Sequence, residues 1–173
     1  MNKEKIIKIS KEILPYILII IFVLLLKSFI ITPIRVNGAS MDDTLKDKDI
    51  MILDKTKYRY SKIKRFDIVV VDIGTEKIIK RVIGLPGESI EYEHNILYVN
   101  GKRVEENFNH KKTADFSIEE LGVKKIPKDM YLVMGDNRPN SLDSRIIGLI
   151  PTKEILGKTS LTIFPPNRLG IKK

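Results

Sequence analysis

Seven short runs rich in β-branched and aromatic residues, each bounded by turn residues, set the limits on what this 173-residue chain can fold into. They are Ile50–Leu53, Asp67–Val71, Lys77–Ile83, Ser89–Tyr92, Ile96–Val99, Met130–Met134 and Leu161–Phe164. Runs of this length and composition read as strands. Asn100-Gly101, between N-I-L-Y-V and K-R-V, is a two-residue hairpin signal because both residues tolerate φ > 0. Pro86-Gly87 marks another turn. Helical periodicity is scarce, and only Asp115–Leu121 reads as a short helix. The expectation is a mainly β fold, one domain with a small insertion at about 90–129. Within it, residues 105–128 are more polar and read as a loose surface segment.

The N-terminus is of a different character. Ile13–Leu26 carries no charge, and after Lys27 and Ser28 the apolar run resumes at Phe29–Ile31. Residues 13–31 have about the length needed to cross a hydrocarbon core as a helix, with Lys27 able to snorkel toward headgroups. Pro33 is expected to end that helix and to bias Thr32 toward extended geometry. Lys3, Lys5, Lys8 and Lys11 outnumber Glu4 and Glu12 ahead of it. That asymmetry predicts residues 1–12 in the cytoplasm, 13–31 as a transmembrane anchor and 32–173 on the extracytoplasmic face. A cleaved secretory signal is the alternative. Asn37 breaks its small-residue pattern, and cleavage after Ala39 would strand Ser40 at a free terminus. A retained anchor is therefore expected.

The net charge of +9 and pI near 9.6 fit nucleic acid, an anionic membrane surface or an acidic substrate. The chain has no zinc-finger spacing and no RNA-binding aromatic signature, so no nucleic-acid partner is expected. Cysteine is absent, which excludes disulfides, a thiol nucleophile and thiolate metal sites. His94 and His110 lack ligand spacing and read as solvated loop histidines, so neither a metal nor a cofactor is expected.

Three segments carry the chemistry: V-N-G-A-S-M at Val36–Met41, I-K-R-V-I-G-L-P-G-E at Ile79–Glu88, and M-G-D-N-R-P-N-S-L-D-S-R at Met134–Arg145. Ser40 follows a glycine-containing turn, where Gly38 can aim a hydroxyl and converge backbone N–H groups. Met41 offers an apolar pocket floor. Lys80 shares a strand face with Val82, and burial on such a face lowers a lysine pKa. To serve as a base near neutrality it must fall about three units, at a cost of about 4 kcal/mol. Asp143 and Arg145 can pair across a turn, Asp136 can pair with Arg81, and Ser141 can orient the Lys80 amine. A serine nucleophile with a lysine base is a known variant of the serine-hydrolase arrangement.

Taken in order, these motifs, with R-F-D-I-V-V-V and the terminal F-P-P-N-R-L-G, resemble the bacterial type I signal peptidases over nearly the whole chain. The resemblance implies Ser40 as nucleophile, Lys80 as general base, Ser141 as its hydroxyl partner, and Asp143–Arg145 and Asp136–Arg81 as structural pairs. It also implies a membrane-bound β catalytic domain acting on signal peptides of exported preproteins at A-x-A-like sites. The neighbours it implies are membrane lipid and the export translocon. Asp43 replaces the family's usual proline, which predicts a less rigid turn after Ser40. Gly38 stands where many Gram-negative members carry a second oxyanion-stabilising hydroxyl, so the Ser40 N–H is the main expected donor. A substrate strand is expected along Ile34–Val36 and Arg81–Ile83, with Ile34, Val36, Met41, Val82 and Ile83 against the peptide. Two other readings remain: a self-cleaving Ser/Lys protease of the SOS-repressor type, and an anchored non-catalytic module.

Overall fold

The structure, a computed structural model, describes the backbone of residues 3–29 and 31–172 and the side chains of 11–24 and 31–172. A helix, α1 (Lys3–Phe29), leads into twelve strands. These are β1 (Ile31–Arg35), β2 (Ile50–Asp54), β3 (Ile68–Asp72), β4 (Lys77–Gly84), β5 (Ile90–Glu93) and β6 (Ile96–Val99). There follow β7 (Lys102–Val104), β8 (Phe116–Ser117), β9 (Met130–Met134), β10 (Ile150–Pro151), β11 (Ile155–Phe164) and β12 (Gly170–Ile171). Two one-turn helices, α2 (Lys57–Tyr60) and α3 (Ser144–Ile147), complete it.

The larger sheet runs β1-β2-β11-β3-β4-β9-β10, with β12 added to β11, and every pairing is antiparallel. It curls. Met51 and Leu53 of β2 pack on the same cluster as Ile68, Val70 and Ile79 of β3 and β4, together with Met41 and Leu45. The opposite face of β3 and β4 is covered too, where Val69, Val71, Ile78 and Val82 meet Val133, Ile150 and Ile155. Burial on both faces is why I-V-V-V reads as a continuous apolar run rather than an alternating one.

The smaller sheet, β7-β6-β5-β8, turns at Asn100-Gly101, both at positive φ. Its core residues Ile90, Tyr92 and Leu97 share one cluster with Ile83, Leu132 and Met134 of the larger sheet. Where β4 passes toward it, Gly84 leaves no room for a Cβ against Ile126 and Ile90.

Several expectations need correction. Residues 105–128 are not loose: Thr113, Phe116, Ile118 and Ile126 are buried. Asp115–Leu121 is not one helix, because β8 takes Phe116–Ser117 before a 3-10 turn at Ile118–Leu121, capped by Ser117 and Glu120. Leu161–Phe164 is only the end of β11, whose inward residues Gly157 and Thr159 mute the apolar signal. The expected helix to Ile31 stops at Phe29, and Ile31–Arg35 is an edge strand. Pro33 is at home there, since an edge strand needs no N–H on its outer side. Among the described residues no helix is long and apolar enough to cross a membrane. The expected span, 13–31, includes residues 25–30, whose side chains lie outside the described set.

Candidate active site

The loop after β1 is wound tightly. The Asp42 N–H donates to the Ala39 carbonyl (3.0 Å) and the Leu45 N–H to that of Met41 (2.8 Å). Met41 and Leu45 are buried as its inward anchors, and Ser40 projects beside them. The loop's base is closed by Val36, whose N–H donates to Asp49 and whose carbonyl accepts from Lys48. Arg168, from F-P-P-N-R-L-G, clamps Asp49 through Nε and a terminal nitrogen at 2.9 Å each.

Lys80 comes from β4 and is 2 % exposed. Its Nζ lies 2.7 Å from Ser40 Oγ and 3.1 Å from the Ile79 carbonyl. Burial pushes the amine down to about 8, against the pull of the Asp143, Glu76 and Asp136 carboxylates in the other direction. Desolvation wins because the charged form has lost its water and two of those carboxylates, Asp136 and Asp143, have arginine partners of their own.

Those partners are visible. Arg81 Nε and a terminal nitrogen donate to the two Asp136 oxygens at 2.9 and 2.7 Å, in a pair 1 % and 0 % exposed. Arg145 grips Asp143 in the same forked way, at 2.9 and 2.8 Å. Asp143 also accepts from the Gly135 N–H (3.0 Å) and caps α3. Its carboxyl is held below the usual range, the Arg145 hydrogen bond and charge outweighing burial.

The third loop reaches Ser40 and its neighbour Ala39 through Asn137. Its N–H donates to the Ser40 carbonyl (3.0 Å) and its side-chain amide to that of Ala39 (2.9 Å). Gly135 permits this approach: a Cβ there would collide with the Ser40 carbonyl and the Ser141 side chain. Thr44 links the first loop to the third by donating to Asp136 at 2.5 Å. Sequence reasoning gave no role to Thr44, Gly135, Asn137, Asp49 or Arg168. Their signal was faint, since each acts through a neighbour remote in sequence.

Other expected site residues fall elsewhere. Ser141 Oγ is buried beside the Asp143 carboxylate, which it helps hold low, while Lys80 spends its donors on Ser40 and Ile79. Val82 and Ile83 are 0 % exposed and belong to the cores on either face of β4, so neither can touch a peptide. Arg81–Ile83 is also flanked by β3 and β9 and offers no edge. Val36 and Met41 line a cleft of about 210 Å³ with Ser40 and Lys80, and Ile34 lines an adjoining hollow of about 470 Å³. Gly38 has φ +82°, and its N–H is engaged by Asp47 (2.9 Å). Nothing among the described residues accepts from the Ser40 N–H. His94 is exposed, whereas His110 is largely covered, 3.5 Å from Glu106.

The model of the family described as signal peptidase, peptidase S26, matches residues 9–164. This chain belongs to that family. It is 38 % identical to a signal peptidase I of Bacillus amyloliquefaciens over 88 % of this chain and 86 % of the relative. It is 41 % identical to signal peptidase I P of Bacillus subtilis subsp. natto over 97 % and 94 %. A crystal structure of signal peptidase I from Enterococcus faecalis shares the fold with TM-score 0.52 and 34 % identity, covering 57 % of this chain and 97 % of that one. The turn after Ser40 also has an unusual backbone at Asp43. Asp43 has φ +89°, a backbone angle that proline cannot adopt.

Proposed function

We propose that this peptidase removes signal peptides from exported preproteins by a serine–lysine mechanism. The observation that carries the assignment of roles is the 2.7 Å contact between a buried lysine amine and the serine hydroxyl. A neutral Lys80 keeps one N–H on the Ile79 carbonyl and turns its lone pair to the Ser40 proton. Ser40 Oγ attacks the scissile carbonyl, and the Ser40 N–H supports the oxyanion. Protonated Lys80 returns its proton to the leaving amine. In the second half Lys80 activates water against the acyl-enzyme ester.

The peptide lies extended in the cleft between the residues after β1 and the first half of β4, Lys77–Lys80, which β9 leaves unpaired. Val36, Met41 and Ile34 contact its small side chains. An N-terminal anchor with its start in the cytoplasm places the catalytic domain on the extracytoplasmic face, next to anionic lipid and the translocon. An outward apolar row beside α1 supports this: Pro33, Ile52, Leu161 and Ile171 are in register across β1, β2, β11 and β12.

The test is cleavage of a preprotein with an A-x-A site by the detergent-solubilised full chain, comparing wild type with Ser40→Ala and Lys80→Ala. Wild type alone is expected to cut, after the final alanine. Equal cutting by all three would overturn the assignment.

A further inference from the structure

Residues 106–113 lie outside the three motif segments, yet they touch the second and the third and reach Thr44, just beyond the first. Phe108 stacks its ring under the Arg81 guanidinium, 3.9 Å from ring centroid to Cζ, next door to Lys80. The Lys111 N–H donates to the Asp136 carbonyl at 2.9 Å. The Asn109 carbonyl lies 3.5 Å from Thr44 Oγ1, on the nucleophile loop. Glu106, 5 % exposed, ion-pairs with Arg138, which is buried and also donates to Thr113 and Tyr92. Tyr92 in turn donates to Glu106 at 2.8 Å. Arg138 Nε holds the Gly135 carbonyl at 3.1 Å, while Arg145 donates to the Arg138 carbonyl at 2.6 Å.

The geometry points to this stretch as a strap that sets the position of the catalytic pair, with Glu106 and Phe108 as positioning residues. Asp136 and Arg138 flank Asn137, the residue that holds the carbonyls of Ala39 and Ser40. Fixing both neighbours of Asn137 fixes the nucleophile turn, and stacking on Arg81 fixes the strand that presents Lys80. The inference rests on the peptidase reading above. A loose surface loop would not place a ring on the second segment and both a carboxylate and a backbone donor on the third.

The strap also keeps water from Lys80 by holding the third loop down. Loosening it should therefore raise the amine's pKa as well as slow turnover. The experiment compares wild type, Glu106→Gln, Glu106→Asp, Phe108→Ala and, as a neighbouring exposed control, Glu105→Gln. Phe108→Ala is included because its ring is only half-buried and its loss strands no buried charge. Each full-length enzyme is assayed in detergent on the same preprotein, with kcat and KM measured across pH and thermal unfolding recorded in parallel. In Glu106→Gln and Phe108→Ala, kcat should fall about tenfold or more with KM changed less than about twofold. The acid limb of kcat should move up by about half a pH unit or more. Glu106→Asp should recover part of both, and Glu105→Gln should match wild type. Folded variants with wild-type kcat and an unmoved acid limb would overturn the strap while leaving the peptidase reading intact. Lack of cleavage by wild type would overturn both.

Discussion

At the scale of single residues, Lys80 is held far from its ordinary protonation. Its folded pKa of about 8 lies below the ordinary value of 10.5. Below pH 8 both folded and unfolded chains hold the proton, so burial opposes folding in full. Between 8 and 10.5 the unfolded chain binds more protons than the folded one, and stability rises with pH until the penalty is gone. The shift corresponds to about 3 kcal/mol at neutrality. Replacing the ammonium with a thioether of similar length should therefore be catalytically fatal yet stabilising. Lys80→Met is expected to lose cleavage and to gain up to about 3 kcal/mol in urea unfolding at pH 7. A Lys80→Met variant less stable than wild type would mean the amine is held by more than its two bonds. In the proposed mechanism only neutral Lys80 accepts the Ser40 proton, so kcat should climb as pH rises through about 8. Asp43 presents the opposite case. At φ +89° an aspartate carries backbone strain that glycine does not. Asp43→Gly should be neutral or stabilising by up to about 1 kcal/mol, and Asp43→Pro should destabilise rather than restore a family-like turn.

Among the elements, the nucleophile loop is held from both ends of the chain. Asp49 is 1 % exposed and its carboxyl is held low by Arg168 and by the Lys46 N–H in spite of burial. Arg168→Ala leaves that carboxylate buried beside water that can enter only partly. The expected loss is about 1–3 kcal/mol with a matching fall in kcat, read from urea midpoints and cleavage rates. Asp49 contributes its stability above its unfolded pKa, and that part is lost as pH falls through the folded one. Gly135→Ala tests the contact between loops directly, since a methyl there meets the Ser40 carbonyl. It should abolish cleavage. Legibility in the sequence followed the same division. The meeting of Lys80 with Ser40 and the two arginine–aspartate pairings could be read because each residue sits in a compact motif. The strands with uninterrupted β-branched runs could be read for the same reason. β1 could not, because a five-residue edge strand follows directly on an apolar helix and contains Pro33. Val82 and Ile83 were misplaced because strand alternation tells which residues share a face, not which face is covered. Ile83 is buried against the smaller sheet, and Val82 against Val133 and Ile150 of β9 and β10, contacts that no local pattern announces. The grip of Glu106 on Arg138 spans 32 residues and leaves no local pattern at all.

For the whole molecule, the two sheets share one apolar cluster, with Ile83, Leu132 and Met134 of the larger sheet against Ile90, Tyr92 and Leu97 of the smaller. The insertion is thus a continuation of the catalytic core, and the strap passes from it to the active site. Leu132→Ala removes a side chain that is 0 % exposed at that junction and should cost about 2–5 kcal/mol. Both sheets are expected to unfold in one transition, which hydrogen exchange on β6 and β3 amides can check. Exchange in β6 at far lower denaturant than in β3 would instead make the smaller sheet an independent unit. The proposed mechanism requires Ser40 to form an ester with substrate while Lys80 manages the protons. The most direct test is rapid acid quenching of the full-length enzyme during turnover of a preprotein, followed by mass spectrometry of its peptides. A signal-peptide acyl adduct on Ser40, absent in Lys80→Met, is the predicted result. An adduct on another residue, or steady cleavage by Ser40→Ala, would contradict it.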